Sequence, residues 1–285
     1  ANPGMIYLFE NAGMSDWYNR AGLLADFGGV EWRGSAVAGD LDGISPVVFS
    51  VSIKGELCAV RFSGEPFPVD RDGTEGILDI GDSLISLPLM INFDEDPLME
   101  VLVVSSSSDS IYFNVIGADI FGGSSEIGNG VLRAGEDTGC SLFSIASCGR
   151  VRWNGGQSIG IFCLARYDGG EISAQFWKIS INGAELLNEQ IIYDSYPAGT
   201  EMPVLSSGDL DGDGSDEMVV PLAGKGVIFW NPYRDLLRKF EIAETLSPAA
   251  LADVNGDGMP ETVLRREEDL YLFTGEGILE SNWPV

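Results

Sequence analysis

Residues 203–222 read Pro203-Val-Leu-Ser-Ser-Gly-Asp-Leu-Asp-Gly-Asp-Gly-Ser-Asp-Glu-Met-Val-Val-Pro-Leu222: a short apolar segment, a nine-residue acidic loop, then a second apolar segment. Residues 248–264 repeat the pattern as Pro248-Ala-Ala-Leu-Ala-Asp-Val-Asn-Gly-Asp-Gly-Met-Pro-Glu-Thr-Val-Leu264. With the loop positions counted from one to nine, Asp209, Asp211, Asp213 and Glu217 fall at one, three, five and nine of the first. Asp253, Asn255, Asp257 and Glu261 take the same places in the second.

The same frame finds weaker copies upstream. Residues 88–104 place Asn92, Asp94, Asp96 and Glu100 at the four positions, with Glu95 and Pro97 where the other loops carry glycine. Residues 36–51 keep Asp40 and Asp42 but have Ile44 and Val48 at positions five and nine. A fifth copy, around 142–165, has Arg150, Arg152, Asn154 and Ser158 in the ligand places. Loop starts at 40, 92, 150, 209 and 253 are too unevenly spaced for a rigid solenoid and fit units with variable outer loops. A further β-like segment follows each second strand: 57–62, 111–115, 172–179, 227–230 and 270–273. Each unit therefore holds three or four short strands, which cannot bury both faces alone and must stack on neighbours.

These features predict an all-β chain forming one β-propeller-type domain, or an arc of one, of about five to seven four-stranded blades. The units run over about 1–32, 33–85, 86–140, 141–200, 201–245 and 246–285, with the acidic loops between first and second strands. Met5–Phe9 resembles Asp269–Phe273, so the chain begins and ends near the same phase of the repeat. Two readings follow: the terminal strands complete a shared blade, or the chain is a piece of a larger ring. Residues 231–245, with Tyr233, Leu236, Leu237 and Phe240 at helical spacing, are expected to form a short helix or an outer strand. Insertions that would build a binding rim are expected at 63–84, 116–140 and 183–202.

Oxygen ligands at alternate positions of a tight, glycine-containing loop suit a hard cation. Calcium takes six to eight oxygens from carboxylates, carbonyls and water. Four carboxylates within ~5 Å repel by roughly 3 kcal/mol per pair at an effective dielectric near 20, and a divalent ion converts that to attraction. An EF-hand needs a bidentate Glu at position twelve, where this chain has Val220 and Leu264.

The loops at 209–217 and 253–261 resemble the FG-GAP and VCBS repeats, whose integrin α-subunit members build seven-bladed propellers with calcium in such loops. The resemblance implies calcium on Asp209, Asp211, Asp213 and Glu217 with the carbonyl of Ser215. It implies a second ion on Asp253, Asn255, Asp257 and Glu261 with the carbonyl of Met259. Asn92, Asp94, Asp96 and Glu100 are the candidate third set, and the 40–48 loop is expected to be empty. Two to three ions are therefore expected. Repetition at equivalent places argues that they are structural, one staple to a blade. In the fifth copy, Arg150 or Arg152 is a candidate to project its guanidinium where a calcium would sit.

Composition narrows the partners. The chain has 44 acidic against 16 basic residues, a net charge of −28, and no visible basic patch. Nucleic acid and anionic membrane surfaces are thereby disfavoured. No apolar run is long enough to span a bilayer, so membrane insertion is not expected. Histidine is absent, which removes the usual general base and nucleophile arrangements. No constellation of Lys, Tyr or Arg singles out a base. The function expected from the resemblance is a secreted or cell-surface recognition or adhesion module, non-enzymatic, binding an extracellular protein or polysaccharide. A propeller-fold polysaccharide lyase or glycan binder, and an architectural spacer of a surface protein, are the alternatives. The tryptophans are expected mainly in the core. Of Cys58, Cys140, Cys148 and Cys163, only Cys148 and Cys163 are placed to bridge across a strand pair; otherwise they are buried thiols.

Overall fold

A computed structural model describes residues 5–9, 21–26, 36–52, 55–68, 77–79, 83–84, 86–93, 97–106, 110–118, 124–134, 140–150, 159–167, 169–180, 183–196, 203–222, 224–242 and 247–280. Every regular element among them is a strand. The chain divides into two compact units, Ala1–Arg133 and Ala134–Val285.

The first unit opens with strands β1 (Met5–Phe9) and β2 (Ala21–Asp26), an antiparallel pair. A four-stranded antiparallel sheet follows, ordered β3 (Val37–Gly39), β4 (Val47–Val51), β5 (Glu56–Arg61) and β6 (Ile77–Asp79). In the next sheet β7 (Ser83–Leu84) and β8 (Leu89–Ile91) both pair with β9 (Glu100–Ser106). It continues through β10 (Ser110–Ala118) to β11 (Ser124–Ala134).

The second unit holds three sheets. The first runs β12 (Cys140–Arg150), β13 (Ile159–Tyr167), β14 (Ile172–Ser180), β15 (Gly183–Tyr193). The second runs β16 (Ser206–Gly208), β17 (Glu217–Leu222), β18 (Gly226–Asn231), β19 (Leu236–Phe240). The third has three strands, β20 (Ala250–Ala252), β21 (Glu261–Arg266) and β22 (Asp269–Phe273). In each of these sheets the order in space follows the order in sequence.

Within each unit neighbouring sheets pack face to face, which explains why their middle strands are apolar without alternation. β4, β17 and β18 are buried along their whole length. On β17 and β18, Met218, Val220, Leu222, Ile228 and Trp230 join Phe162, Leu164 and Phe176 of the preceding sheet in one core. The intervening Val219, Val227 and Phe229 join Leu264, Tyr271 and Phe273 of the following sheet in another. Period-two side-chain direction thus feeds two cores from one strand. In the first unit Val47, Phe49, Leu57 and Ala59 pack with Val101, Val103 and Ile116 in the same way. Each large side chain fully buried there contributes roughly 1.5–3 kcal/mol. Outer strands β15 and β19 are largely exposed or half-buried and carry the polar residues.

First strands of neighbouring sheets also meet, and glycine sets how closely. A Cβ on Gly39 would stand 2.2 Å from Met90 Cε, and one on Gly208 would stand 3.0 Å from Leu251 Cδ1. These positions are equivalent, because each glycine ends its first strand and faces the penultimate residue of the next one.

Several sequence expectations change. Of the two alternatives for residues 231–245, the described part (231–242) forms a turn and then outer strand β19, with Leu237 and Phe240 packed against the cores rather than on a helix face. The expected insertions at 63–84, 116–140 and 183–202 contain β6 and β7, β11, and β15: most of their described length is sheet. Trp177 and Trp230 lie in the core at 5% and 0% exposure, whereas Trp17, Trp32, Trp153 and Trp283 fall outside the described residues. Cys163 opposes Ile145, not Cys148, and carries a free buried thiol, so the Cys148–Cys163 bridge is not formed.

Burial pushes the Cys58 thiol up to about 12, and that of Cys163 higher still. Both are fully buried. We therefore expect neither to react with iodoacetamide at pH 8 in the folded protein, and both to react in denaturant, as read by peptide mass spectrometry. Labelling of Cys163 in the native state would contradict the placement of β13 inside a two-sided core.

Candidate metal centre

The 209–217 loop joins β16 to β17, closed at its base by the pairing of Gly208 with Glu217. Its short strands end where aspartate, glycine and serine begin, residues that favour turns stabilised by side chain to backbone hydrogen bonds. Asp209 Oδ2 accepts from the Gly214 N–H at 2.9 Å, Asp211 Oδ1 from Asp213 at 3.2 Å, and Asp213 Oδ1 from Ser215 at 2.9 Å. Gly212 and Gly214 adopt φ of +73° and +86°, left-handed angles that glycine takes without strain. Each aspartate spends one oxygen on the loop backbone and leaves the other for a different partner.

Glu217 closes the structure. It is buried at 5% exposure, accepts the Leu210 N–H at 2.9 Å on Oε2, and accepts the Asn231 amide at 2.7 Å on Oε1. Oxygens of Asp209, Asp211 and Glu217 lie within 4.8 Å of one another. Asp209 Oδ1 is buried with no hydrogen-bond partner. An anionic oxygen in that condition is costly without a counter-charge, so the residue set fits a hard cation with oxygen ligands. Asp213 stands apart from the three: its Oδ2 pairs with Arg234 at 2.5 Å, and Asp211 Oδ2 pairs with the same guanidinium at 2.8 Å.

The 253–261 loop reproduces this plan. Asp253 Oδ2 accepts from Gly258 at 2.9 Å, Asn255 Oδ1 from Asp257 at 2.8 Å, Asp257 Oδ1 from Met259 at 2.8 Å, and Glu261 Oε2 from Val254 at 2.8 Å. Gly256 and Gly258 are left-handed at +81° and +90°. The difference is Asn255, whose amide donates to Asp257 Oδ2 at 3.0 Å and Glu261 Oε1 at 2.8 Å. It supplies donors at the centre, where its carbonyl oxygen would serve a cation only after the amide turns over.

In the third candidate set, Glu100 is 3% exposed and accepts the Phe93 N–H, so the same closing bond forms. Asn92 follows Ile91, the register partner of Glu100, as Asp209 follows Gly208, while Asp94 and Asp96 lie outside the described residues.

Strand register corrects the sequence frame in the two degenerate copies. Gly39 pairs with Val47, so the loop is the seven residues 40–46 rather than the eight of 209–216, and Val47 rather than Val48 occupies the glutamate's place. Arg150 pairs with Ile159, so it ends strand β12 and does not take position one; that loop is 151–158 and lies outside the described residues with Arg152.

A guanidinium in a cation's place does occur, but in the 40–46 loop. Arg61, the register partner of Val47, reaches Asp42 Oδ2 at 2.5 Å and Ser45 Oγ at 3.2 Å and lies 4.8 Å over the Phe67 ring. Its side chain is 14% exposed and that of Asp42 5%. Burial works to raise the Asp42 carboxyl, but the Arg61 hydrogen bond and the Ile44 N–H outweigh it and hold the group below its ordinary value. Asn231, Arg234 and Arg61 all come from beyond the middle strand of a sheet, 14 to 23 residues from the carboxylates they meet. No loop motif contains them.

No protein-family description and no curated protein matches this sequence. Among solved structures the chain is similar to BBS1N in complex with ARL6DN, with a TM-score of 0.51 at 10% identity over 90% of this chain and 66% of that one. It is also similar to the Bacillus licheniformis rhamnogalacturonan lyase PL11, with a TM-score of 0.46 at 12% identity over 87% of this chain. The exotype rhamnogalacturonan lyase YesX gives 0.45 at 10% identity over 88%. The chain spans 57% of the length of each lyase. Its own repeated antiparallel sheets and the likeness to BBS1N define the class: an all-β protein of propeller-like fold.

Burial, then the neighbouring Asp211, Asp213 and Asp209 charges, push Glu217 from its ordinary 4.5 up to about 7, although the Leu210 N–H pulls the other way. Burial and Asp209 likewise push Asp216 up to about 6. A carboxyl with a raised value in the folded state holds its proton longer than the unfolded chain does. The metal-free protein should therefore lose stability as pH rises from about 4.5 through about 7. In chelator, we expect a lower melting midpoint at pH 8 than at pH 5, with the difference reduced in Glu217→Gln. An equal pH response in wild type and variant would show that Glu217 is not the group responsible.

Proposed function

We propose that this chain is a calcium-stabilised β-propeller module with FG-GAP/VCBS-like repeats, working in recognition or adhesion outside the cell or at its surface, without chemistry of its own. The observation that carries the reading is Asp209 Oδ1, a buried and unpartnered carboxylate oxygen inside a ring of backbone-pinned acidic groups. The four-bond loop scaffold repeats residue for residue in the next sheet, which supports a structural ion over a catalytic one. A catalytic ion needs an open position facing a cleft with acid or base partners, a requirement that differs from site to site.

In the first loop calcium would be held by Asp209, Asp211, Asp213 and Glu217 with the Ser215 carbonyl. In the second it would be held by Asp253, Asp257 and Glu261 with the Met259 carbonyl and a turned Asn255. A third ion, in the 92–100 loop, is supported by the Glu100–Phe93 bond alone. The ion would supply counter-charge and tie the start of the second strand to the loop. The strongly acidic surface favours partners that are neutral or basic, a protein or polysaccharide over a nucleic acid.

Thermal melting tests the metal. We expect millimolar calcium to raise the midpoint by about 5 °C over chelator, as a ligand at roughly a hundred times its Kd does for a chain of this size. Magnesium should give less, because it demands tighter octahedral geometry. Asp209→Asn and Asp253→Asn should each remove part of the calcium shift. An unchanged midpoint in calcium sinks the proposal. A uronate-release assay over a polysaccharide panel tests the non-enzymatic part, and calcium-dependent turnover would overturn it.

A further inference from the structure

The three loops seen in full differ in what neutralises them. Arg61 is enclosed over Phe67 and bound to Asp42 and Ser45, a fixed internal cation in a loop that has lost its glutamate. In the 253–261 loop the Asn255 amide bridges Asp257 and Glu261. The 209–217 loop has the closing glutamate and a cation as well. Arg234 forks across Asp211 Oδ2 and Asp213 Oδ2, the two oxygens that the loop's own backbone leaves free.

Arg234 differs from Arg61 in how it is held. Its side chain is 53% exposed against 14%, and it rises from the turn between β18 and β19 rather than from a strand. Asn231 Oδ1 accepts the N–H groups of both Tyr233 and Arg234 at 3.0 Å. The same Asn231 donates to Glu217 from its other end, so one side chain sets both the turn and the glutamate. The guanidinium also lines an open, solvent-facing pocket together with Asp211, Glu217, Trp230, Arg238 and Glu276. Half-exposed and at the edge of that opening, it can swing toward solvent and leave the loop without unfolding anything.

Resting on the calcium reading above, we propose that Arg234 is a displaceable internal cation. It bridges Asp211 and Asp213 when the 209–217 loop is metal-free, and calcium entry releases its guanidinium into the adjoining pocket. Calcium and arginine compete for the same two carboxylate oxygens, so Arg234 weakens calcium binding at this loop and steadies the loop in calcium's absence. The released guanidinium adds an exposed positive charge beside Arg238 in that pocket, which makes the local surface calcium-dependent.

The test is calorimetric calcium titration and melting in chelator, for the wild type and Arg234→Ala, each also carrying Asp253→Asn so that the second loop does not contribute. Two exposed ion pairs are together worth about a fivefold change in affinity. Arg234→Ala should therefore bind calcium about fivefold more tightly and melt lower in chelator. Arg234→Lys, which keeps the charge but loses the fork, should fall between. Arg61→Ala should lower the melting midpoint in chelator and leave the calcium affinity as it was. If the wild type binds calcium and Arg234→Ala binds it equally or less tightly, competition is overturned while the metal reading stands. If neither protein binds calcium, both are overturned.

Discussion

A buried glutamate at the start of a second strand, reaching back seven residues to a backbone N–H, organises each of the complete loops. Glu100, Glu217 and Glu261 are 3%, 5% and 4% exposed, and each accepts the N–H of the loop's second residue. The bond closes a span of eight residues between the paired ends of the two strands. A buried, half-compensated carboxylate is also an unstable arrangement unless something donates to it or neutralises it. Much of the local chemistry answers that need.

The glutamate can be buried because of how the sheets stack. Middle strands such as β17 are enclosed on both faces, and Glu217 continues the same buried run into the strand's first residue. The loop is therefore anchored to the most deeply buried part of its sheet, not to an exposed edge. Glycine at the end of the first strand contributes by letting the neighbouring first strand approach, as Gly39 does for Met90 and Gly208 for Leu251. A site placed there inherits its geometry from the packing of two sheets.

The second and third strands of each unit and the two glycine-rich acidic loops were legible in the sequence, because apolar runs and alternating acids are local signals, whereas β6, β7, β11 and β15 fall in segments that read as insertions. All five strands that follow the loops coincide with apolar runs in the sequence, and shared spacing alone marks 209–217 and 253–261 as equivalent. Register in the degenerate copies was not legible. Once the glutamate is gone, nothing in the sequence marks where the second strand begins, and the frame slipped by one residue at Val47 and at Arg150. Position nine was read as a ligand alone, although its burial and its bond to position two make it a structural clamp first. Arg61, Asn231 and Arg234 were missed for one reason: they reach the loops across the sheet, through hairpin pairing that no spacing rule reports.

Asn231 and Asn255 show that the hidden residues follow a rule of their own. In the 209–217 loop position three is Asp211, which cannot donate when ionised, and the amide on Glu217 Oε1 comes from Asn231 at the end of the third strand. In the 253–261 loop the third strand ends at Phe273 and offers Thr274 next, and the amide on Glu261 Oε1 comes from position three itself, Asn255. Glu217 and Glu261 thus each receive one carboxamide at 2.7–2.8 Å, from whichever of two places the sequence provides it. Where the glutamate is replaced by Val47, neither amide is present, and the residue opposite it is the arginine that serves Asp42. The choice at position three is therefore coupled to the residue across the strand pair. An Asp at position three leaves one more anionic oxygen for a cation, and the neighbouring strand must then bring the donor. Among the loops described in full, that coupling accounts for 209–217 being the one whose carboxylates converge and also the one that keeps an arginine at its mouth.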